Sequence, residues 1–204
     1  MSDHSSLTGP TIHSYEERAA SFWEGTRDHD VSQNINALLA ALDGDGPHRI
    51  LDFGCGPGRD LAAFKSLGHD PIGLDGSPSF CEMARTHAGV EVWNQNFLEL
   101  DLPSEHFDGV FANASIFHVP ADALPRVLEE LFSTLRPGGA FFSSNPRGTN
   151  QEGWNGPRYG RYHDLSSWTA FMTGAGFVSL DHYYRPTGLP REQQPWLATT
   201  FRKP

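Results

Sequence analysis

Three stretches of the 204-residue chain carry residue types and spacings that could do chemistry. The first is Arg49-Ile50-Leu51-Asp52-Phe53-Gly54-Cys55-Gly56-Pro57-Gly58-Arg59-Asp60. Its apolar run from Ile50 to Phe53 predicts a buried strand, and three alternating glycines let the backbone turn sharply beside a ligand. Leu61, Phe64 and Leu67 then recur at helical spacing, so the turn opens a helix whose first N–H groups are free to meet a ligand. The second stretch, Ile72-Gly73-Leu74-Asp75, predicts a strand with a carboxylate at its tip, followed by Ser77-Pro78 as cap and first residue of a helix. A carboxylate there can accept hydrogen bonds from both hydroxyls of a ribose, while its plain alternative is to cap the turn. The third is His118, which can take a proton from a hydroxyl, amine or thiol near neutral pH, or can merely brace a strand-to-helix turn.

The spacing Gly54-x-Gly56-x-Gly58, with Asp52 inside the strand end, differs from the Gly-x-Gly-x-x-Gly of a dinucleotide site. It resembles motif I of the class I S-adenosylmethionine (SAM) dependent methyltransferases. That resemblance implies that Asp52 helps hold the amino group of the methionine half and that Gly54, Cys55, Gly56 and Gly58 cradle the cofactor. Asp75, with Gly76 and Ser77, would hold the ribose. Gln95-Asn96-Phe97 stands where the family carries an acid and an apolar residue against the adenine, with Asn96 replacing the acid. The Asn96 amide oxygen can still accept from the adenine amino group, and Phe97 offers an apolar face, a role Trp93 or Leu98 could take instead. Phe107 to Ala114, running into Ser115-Ile116-Phe117-His118-Val119-Pro120, resembles motif IV, which lies beside the transferred methyl. It places Asn113 among the cofactor residues and makes His118 the candidate base or substrate orienter. Leu135-Arg136-Pro137-Gly138-Gly139 before an apolar strand is the fourth family feature, and together the four span residues 49–144.

The elements that must position these groups follow from periodicity. Residues 1–10 read as a disordered tail. Ser14-Tyr15-Glu16-Glu17 matches a capping box, with Tyr15, Ala19 and Phe22 following on one helix face. Ile35, Leu38, Leu39 and Leu42 predict a second helix before the Asp43–Pro47 turn. Tyr15, Phe22 and Thr26-Arg27-Asp28 resemble a Tyr…Phe…Thr-Arg-Asp run of some small bacterial methyltransferases, so this helical cap contributes substrate-binding candidates or packs without contact. Val90–Trp93 predicts a third strand, and Leu124, Val127, Leu128, Leu131 and Leu135 a helix that stops before Ala140–Ser144, the fifth strand.

Beyond it, Asn145 to His163 reads as a long polar and aromatic loop. Asp164 caps a helix through Trp168, Phe171 and Met172, and Phe177–Tyr184 and Trp196–Arg202 are the last strands. Ligands of open α/β sheets sit beyond the carboxyl ends of the parallel strands, where both C-terminal loops leave. Arg147, Trp154, Arg158, Tyr159, Arg161, Tyr162, Tyr183, Tyr184, Arg185 and Arg191 are therefore candidates to line or cover a substrate cleft. Arginines with aromatics suit a planar or anionic small molecule.

The formal net charge is −10, with 7 Lys/Arg against 21 Asp/Glu over residues 1–135 and 8 against 4 over residues 136–204. The acidic sum disfavours a nucleic-acid backbone as partner, and Asn113-Ala114-Ser115-Ile116 is not the Asn-Pro-Pro-Tyr type of amino-directed nucleic-acid methyltransferases. The chain carries no long apolar run, and its two cysteines, Cys55 and Cys81, read as reduced thiols, which together predict a cytoplasmic protein without a membrane partner. No Cys/His pair has zinc spacing, and no metal is expected.

The expectation is one α/β domain: tail 1–10, helical cap 11–47, SAM-binding core 48–144, and substrate-side loops with the last strands at 145–204. By resemblance its seven-stranded, mostly parallel sheet has the order 3-2-1-4-5-7-6, strand seven antiparallel, with helices on both faces. The implied activity is methyl transfer from SAM to an O, N or S atom of a small metabolite, leaving S-adenosylhomocysteine (SAH). A SAM-binding module without catalysis, and a methyltransferase for tellurite-type oxyanions, are the alternatives. The protein is expected to be a monomer or homodimer.

Overall fold

The computed structural model describes residues 5–204. Nine strands and seven α-helices alternate along it. The helices are α1 (Ser5–Glu16), α2 (Ala19–Thr26), α3 (Ser32–Leu39), α4 (Arg59–Ser66), α5 (Pro78–Ala88), α6 (Leu124–Thr134) and α7 (Leu165–Gly174). The strands are β1 (Arg49–Phe53), β2 (Asp70–Asp75), β3 (Val92–Asn94), β4 (Phe107–Asn113), β5 (Leu135–Pro146), β6 (Gln151–Asn155), β7 (Arg158–Tyr162), β8 (Val178–Arg185) and β9 (Trp196–Arg202). Seven strands form one sheet in the order β3-β2-β1-β4-β5-β9-β8. β9 runs antiparallel to both β5 and β8, as the resemblance implied.

Alternation along the strands decides which groups reach the site. Leu51 and Phe53 of β1 face a core with Val127, Leu128 and Leu131 of α6 and Trp168 and Met172 of α7. Ile50 faces the other way, toward Leu38 of α3 and Phe64 of α4. Asp52 shares the Ile50 face by the period of two. Ser77 and Asp164 cap α5 and α7 as their sequences predict, accepting from the backbone N–H of Phe80 and Ser167.

Three expectations are corrected. Residues 5–10 of the expected tail are helical, while residues 1–4 lie outside the described residues. The helix therefore starts well before Ser14, which is buried near the end of α1 instead of capping a start. Pro10 lies inside α1, where its missing N–H costs one bond with Ser6. The long loop after β5 contains the antiparallel hairpin β6–β7, closed by Asn155-Gly156-Pro157-Arg158. Its strands are short and rich in Gly, Arg and Tyr, so no apolar alternation announced them. Finally, β5 begins at Leu135 rather than Ala140, with Pro137-Gly138-Gly139 in an irregular stretch where its pairing with β4 shifts register. Among the described residues no helix is long and apolar enough to cross a membrane.

Candidate functional site

A cavity of about 650 Å3 opens at the carboxyl ends of β1, β2 and β4, within the range of roughly 300–1,000 Å3 typical of small-molecule sites. Its floor is the glycine turn. The three glycines do different things. A Cβ on Gly54 (φ +82°) would lie 2.3 Å from Ser115 Cβ, and one on Gly58 (φ +95°) 2.7 Å from the Ala84 backbone, so both permit close packing. A Cβ on Gly56 (φ +52°) would meet only Phe22, at 3.8 Å. That space belongs to the cavity.

Carboxylates surround this floor. Asp75 accepts from the backbone N–H of Gly56 at 3.0 Å through Oδ2 and of Ser77 at 2.9 Å through Oδ1. The Gly76 N–H adds a third backbone bond, which leaves the carboxylate acceptor capacity for a ligand hydroxyl. Burial raises its pKa to about 6. Asp52 is 1 % exposed and its Oδ2 has no partner among the described residues. Burial first, and the Asp60 carboxylate second, hold it well above the ordinary carboxylate range. Asp60, on the first turn of α4, is the acid that lines the cavity, and Asp52 lies behind it. Arg59 grips Asp60 through Nε and Nη2 (2.6 and 3.1 Å), and Asn113 Nδ2 donates to Asp60 Oδ2 at 3.0 Å. Asn113 Oδ1 accepts from Asn34, whose own oxygen accepts the Tyr183 hydroxyl, both at 2.9 Å. This chain fixes which way each amide faces.

Gly76 and Ser77 line the wall beside Asp75, as do Asn96 and Phe97 farther along. The Asn96 oxygen accepts from Leu98 N–H at 3.0 Å, and its amide nitrogen donates to Thr8 Oγ1 at 3.4 Å. Phe97 stacks on Phe53 at 4.1 Å, and Cys55 is buried in the turn with its pKa pushed up by burial.

The roof is α1. Thr8, Thr11, Ile12 and Tyr15 face the cavity, and polar contacts fasten the helix down. Thr11 Oγ1 accepts from Tyr159 N–H at 3.0 Å. Glu16 accepts hydrogen bonds from Ser77 and Ser79 at the start of α5. Burial works against the Glu16 carboxylate, but these bonds hold its pKa below the ordinary value. Tyr15 meets His118 Nε2 at 2.8 Å, while His118 Nδ1 meets the Tyr159 carbonyl at 2.5 Å. The carbonyl can only accept, so Nδ1 carries the proton and neutral His118 accepts from Tyr15 through Nε2. Arg158 Nη1 donates to the same Tyr15 hydroxyl at 3.1 Å. Burial pushes His118 down to about 4. The candidate base thus lines the cavity with both ring nitrogens engaged, its acceptor nitrogen by Tyr15.

Of the other substrate candidates, Phe22, Thr26 and Arg185 line the cavity. Arg147, Tyr184 and Arg191 do not: the Tyr184 ring lies between the two guanidinium groups (5.8 and 3.1 Å), and Arg147 donates to the Gln194 and Arg191 carbonyls, bracing the β8–β9 loop. Trp154 is 49 % exposed on the hairpin. Tyr159 contributes its backbone, and Tyr162 packs on Phe117, 6.0 Å between ring centres. Sequence reasoning missed Asp60, Asn34, Thr11, Ile12 and the anchoring role of Glu16. Asn34 had left a signal, as one polar residue on the Val31, Ile35, Leu38 face of α3.

A family model described as a methyltransferase domain matches residues 50–139. The Burkholderia thailandensis 1,6-didemethyltoxoflavin-N1-methyltransferase, solved with 1,6-didemethyltoxoflavin and S-adenosylhomocysteine bound, superimposes with a TM-score of 0.75 over 96 % of this chain and 86 % of that one, at 24 % identity. The fold is that of the class I SAM-dependent methyltransferases. Two curated methyltransferases align with this chain's part of that fold. The rice 24-methylenesterol C-methyltransferase 2 is 34 % identical over 59 % of this chain and 33 % of its own length. The Azoarcus trans-aconitate 2-methyltransferase is 33 % identical over 54 % of this chain and 44 % of its own length. The chain thus spans less than half of either of these two methyltransferases.

Proposed function

We propose that this chain transfers the methyl group of SAM to an O, N or S atom of a small, planar or anionic metabolite. The observation that carries the reading is the polarity of one cavity. Asp52, Asp60 and Asp75 gather at the strand ends, where a donor with a cationic amino group and a ribose would lie, and Arg158 and Arg185 face them across the same space. The residues fit that donor: Asp75 keeps acceptor capacity, Gly56 leaves room for the sugar, and beside the Arg59–Asp60 pair the Asp52 Oδ2 is left without a partner among the described residues.

When bound, SAM supplies a methyl group on an already activated sulfonium. The chain's own work is then alignment and exclusion of water. Asp75 would hold the ribose, Asp60 backed by Asp52 the amino end, and Phe97 with Asn96 the adenine. Thr11, Ile12 and Tyr15 would close α1 over the donor. His118 acts as an orienter: it holds the Tyr15 hydroxyl toward Arg158 rather than taking a proton directly.

Calorimetric titration with SAH, beside an NADH control, tests the reading. Micromolar SAH binding with no NADH heat is expected, and folded protein that ignores SAH would rule it out.

A further inference from the structure

We propose that the acceptor atom is a carboxylate oxygen, held on Arg158 and methylated to the ester. The inference rests on the methyltransferase reading and adds the chemical class of its acceptor. Two observations lead to it: where a proton could go, and where a negative charge could sit.

An acceptor hydroxyl or thiol has to lose a proton on methylation, and among the described residues the titratable groups joined to Arg158, Tyr15 and through it His118, are already engaged. A neutral amine needs no base but brings no negative charge to meet Arg158. His118 is closed on both sides, Nδ1 by the Tyr159 carbonyl and Nε2 by Tyr15. Tyr15 gives its own proton to that nitrogen, and burial raises its pKa. Asp60, paired with Arg59 and Asn113, is assigned to the amino end of the donor. Asp75 lies on the donor side against the Gly56 and Ser77 amides. His29 and Asp30 also line the cavity, from the solvent-exposed α2–α3 connection, with Asp30 accepting from Ser32 N–H. An acceptor that arrives already ionised needs none of them.

Arg158 supplies the counter-charge. Two neighbours on β7 differ in a telling way: Arg161 is paired with Glu152 at 2.9 Å, whereas Arg158, half-buried at the cavity wall, makes no ion pair among the described residues. Of its five N–H groups, one is directed to Tyr15 Oη, at 3.1 Å. A guanidinium kept in a largely apolar cavity without a carboxylate is short of an anion, and its planar fork suits a carboxylate bidentately. An acceptor bound there lies beside Tyr15, which His118 holds in place. Arg185, also without an ion pair among the described residues, donates to the Asp30 carbonyl (3.3 Å) and lines the same cavity, where it can take a second anionic group.

The step balances without a base. A carboxylate lone pair forms the O–CH3 bond as the S–CH3 bond breaks, its electron pair staying on sulfur. The carboxylate and sulfonium charges cancel, the products are a methyl ester and SAH, and no proton is released. The neutral ester no longer pairs with Arg158, which favours its departure.

The test gives the intact protein methyl-tritiated SAM with a small-molecule cell extract, and separately with a panel of mono- and dicarboxylic acids and their amides. Label is scored as methanol released by mild alkali, and protons are counted in weak buffer. Expected are alkali-labile label, no proton per SAH formed, and Arg158→Gln lowering kcat/KM about 100-fold through loss of two charged hydrogen bonds. SAH affinity should stay within about twofold in that variant, and Arg158→Lys, keeping the charge without the fork, should recover part of the rate. Tyr15→Phe should cost less than about tenfold, against the roughly 100-fold or more of a lost proton acceptor. Alkali-stable label, a proton released per turnover, full activity of Arg158→Gln, or no label from any acid while SAH binds would each overturn the carboxylate. Failure to bind SAH would instead overturn the methyltransferase reading beneath it.

Discussion

The two walls of the cavity are built from different kinds of contact. The donor-side wall consists of the ends of neighbouring parallel strands and the turns that follow them: Asp52 and the glycine turn after β1, Asp75 after β2, Asn96 and Phe97 after β3. Its positions are set by sheet register, with Phe53 opposite Leu74 and Asp75 opposite Asn94. The acceptor-side wall is assembled from the far ends of the chain. Tyr15 and His118 are 103 residues apart, Arg158 and Tyr15 143, and Tyr159 and Thr11 148. A wall made from strand ends is rigid and common to a fold, whereas a wall made from a helix and a hairpin changes its side chains without disturbing the sheet. On the proposed function, that difference would separate donor binding from acceptor choice.

Substitutions in the floor probe the first wall most severely. Gly54→Ala pushes a Cβ to 2.3 Å from Ser115 Cβ at a φ of +82°, and overpacking plus left-handed strain predict a loss of about 3–4 kcal/mol in urea unfolding. Gly56→Ala meets nothing nearer than Phe22 at 3.8 Å. It should cost only about 1 kcal/mol of stability, from backbone strain, yet weaken SAH binding because its methyl enters the cavity. Equal unfolding midpoints for the two variants would break the distinction between packing and cradle glycines.

The pH response separates the walls again. Asp75 accepts ligand hydroxyls best when ionised, and burial raises its pKa to about 6, so SAH affinity should weaken as pH falls through that value. An affinity flat from pH 8 to about 5 would remove Asp75 from the ribose role. His118 acts on stability instead. In the unfolded chain it takes up a proton near 6.5, in the folded chain only near 4. The unfolded state therefore binds more protons between these values, and acidification there destabilises the fold. Asp75 works with the opposite sign between 3.8 and about 6. The His118→Asn difference isolates the histidine, and that variant should lose stability less steeply than wild type on going from pH 6.5 to 5. Smallest of all, Arg147→Ala should loosen the β8–β9 loop by about 1 kcal/mol or less, with SAH affinity unchanged, because its bonds go to the Gln194 and Arg191 carbonyls and not to the cavity.

Legibility followed the same division. The strand order followed from the family resemblance, whereas the glycine turn and Asp75 were readable because local pattern and fold coincide there: an apolar run, alternating glycines and an acid at a strand tip. Asp52 was readable as an acid but not as a buried second layer behind Asp60, since burial depends on which face α4 covers. The hairpin left no periodic trace, because β6 and β7 lie half-exposed and bury little apolar surface. The start of α1 fell in the stretch read as a tail, where tertiary contact of Ile12 and Tyr15 with the cavity wall outweighs the weak helix propensity of Gly9-Pro10. His118 was found by its place after β4, and its engagement by Tyr15 depends on a helix more than 100 residues away in sequence.

The most direct measurement is SAH affinity in Asp75→Ala and Arg158→Gln, side by side with wild type. The two walls predict a one-sided result: about 100-fold weaker binding in Asp75→Ala, from two lost hydrogen bonds to a charged acceptor, and no change beyond about twofold in Arg158→Gln. Comparable losses in both variants, or none in Asp75→Ala, would contradict a cavity divided into a donor wall and an acceptor wall.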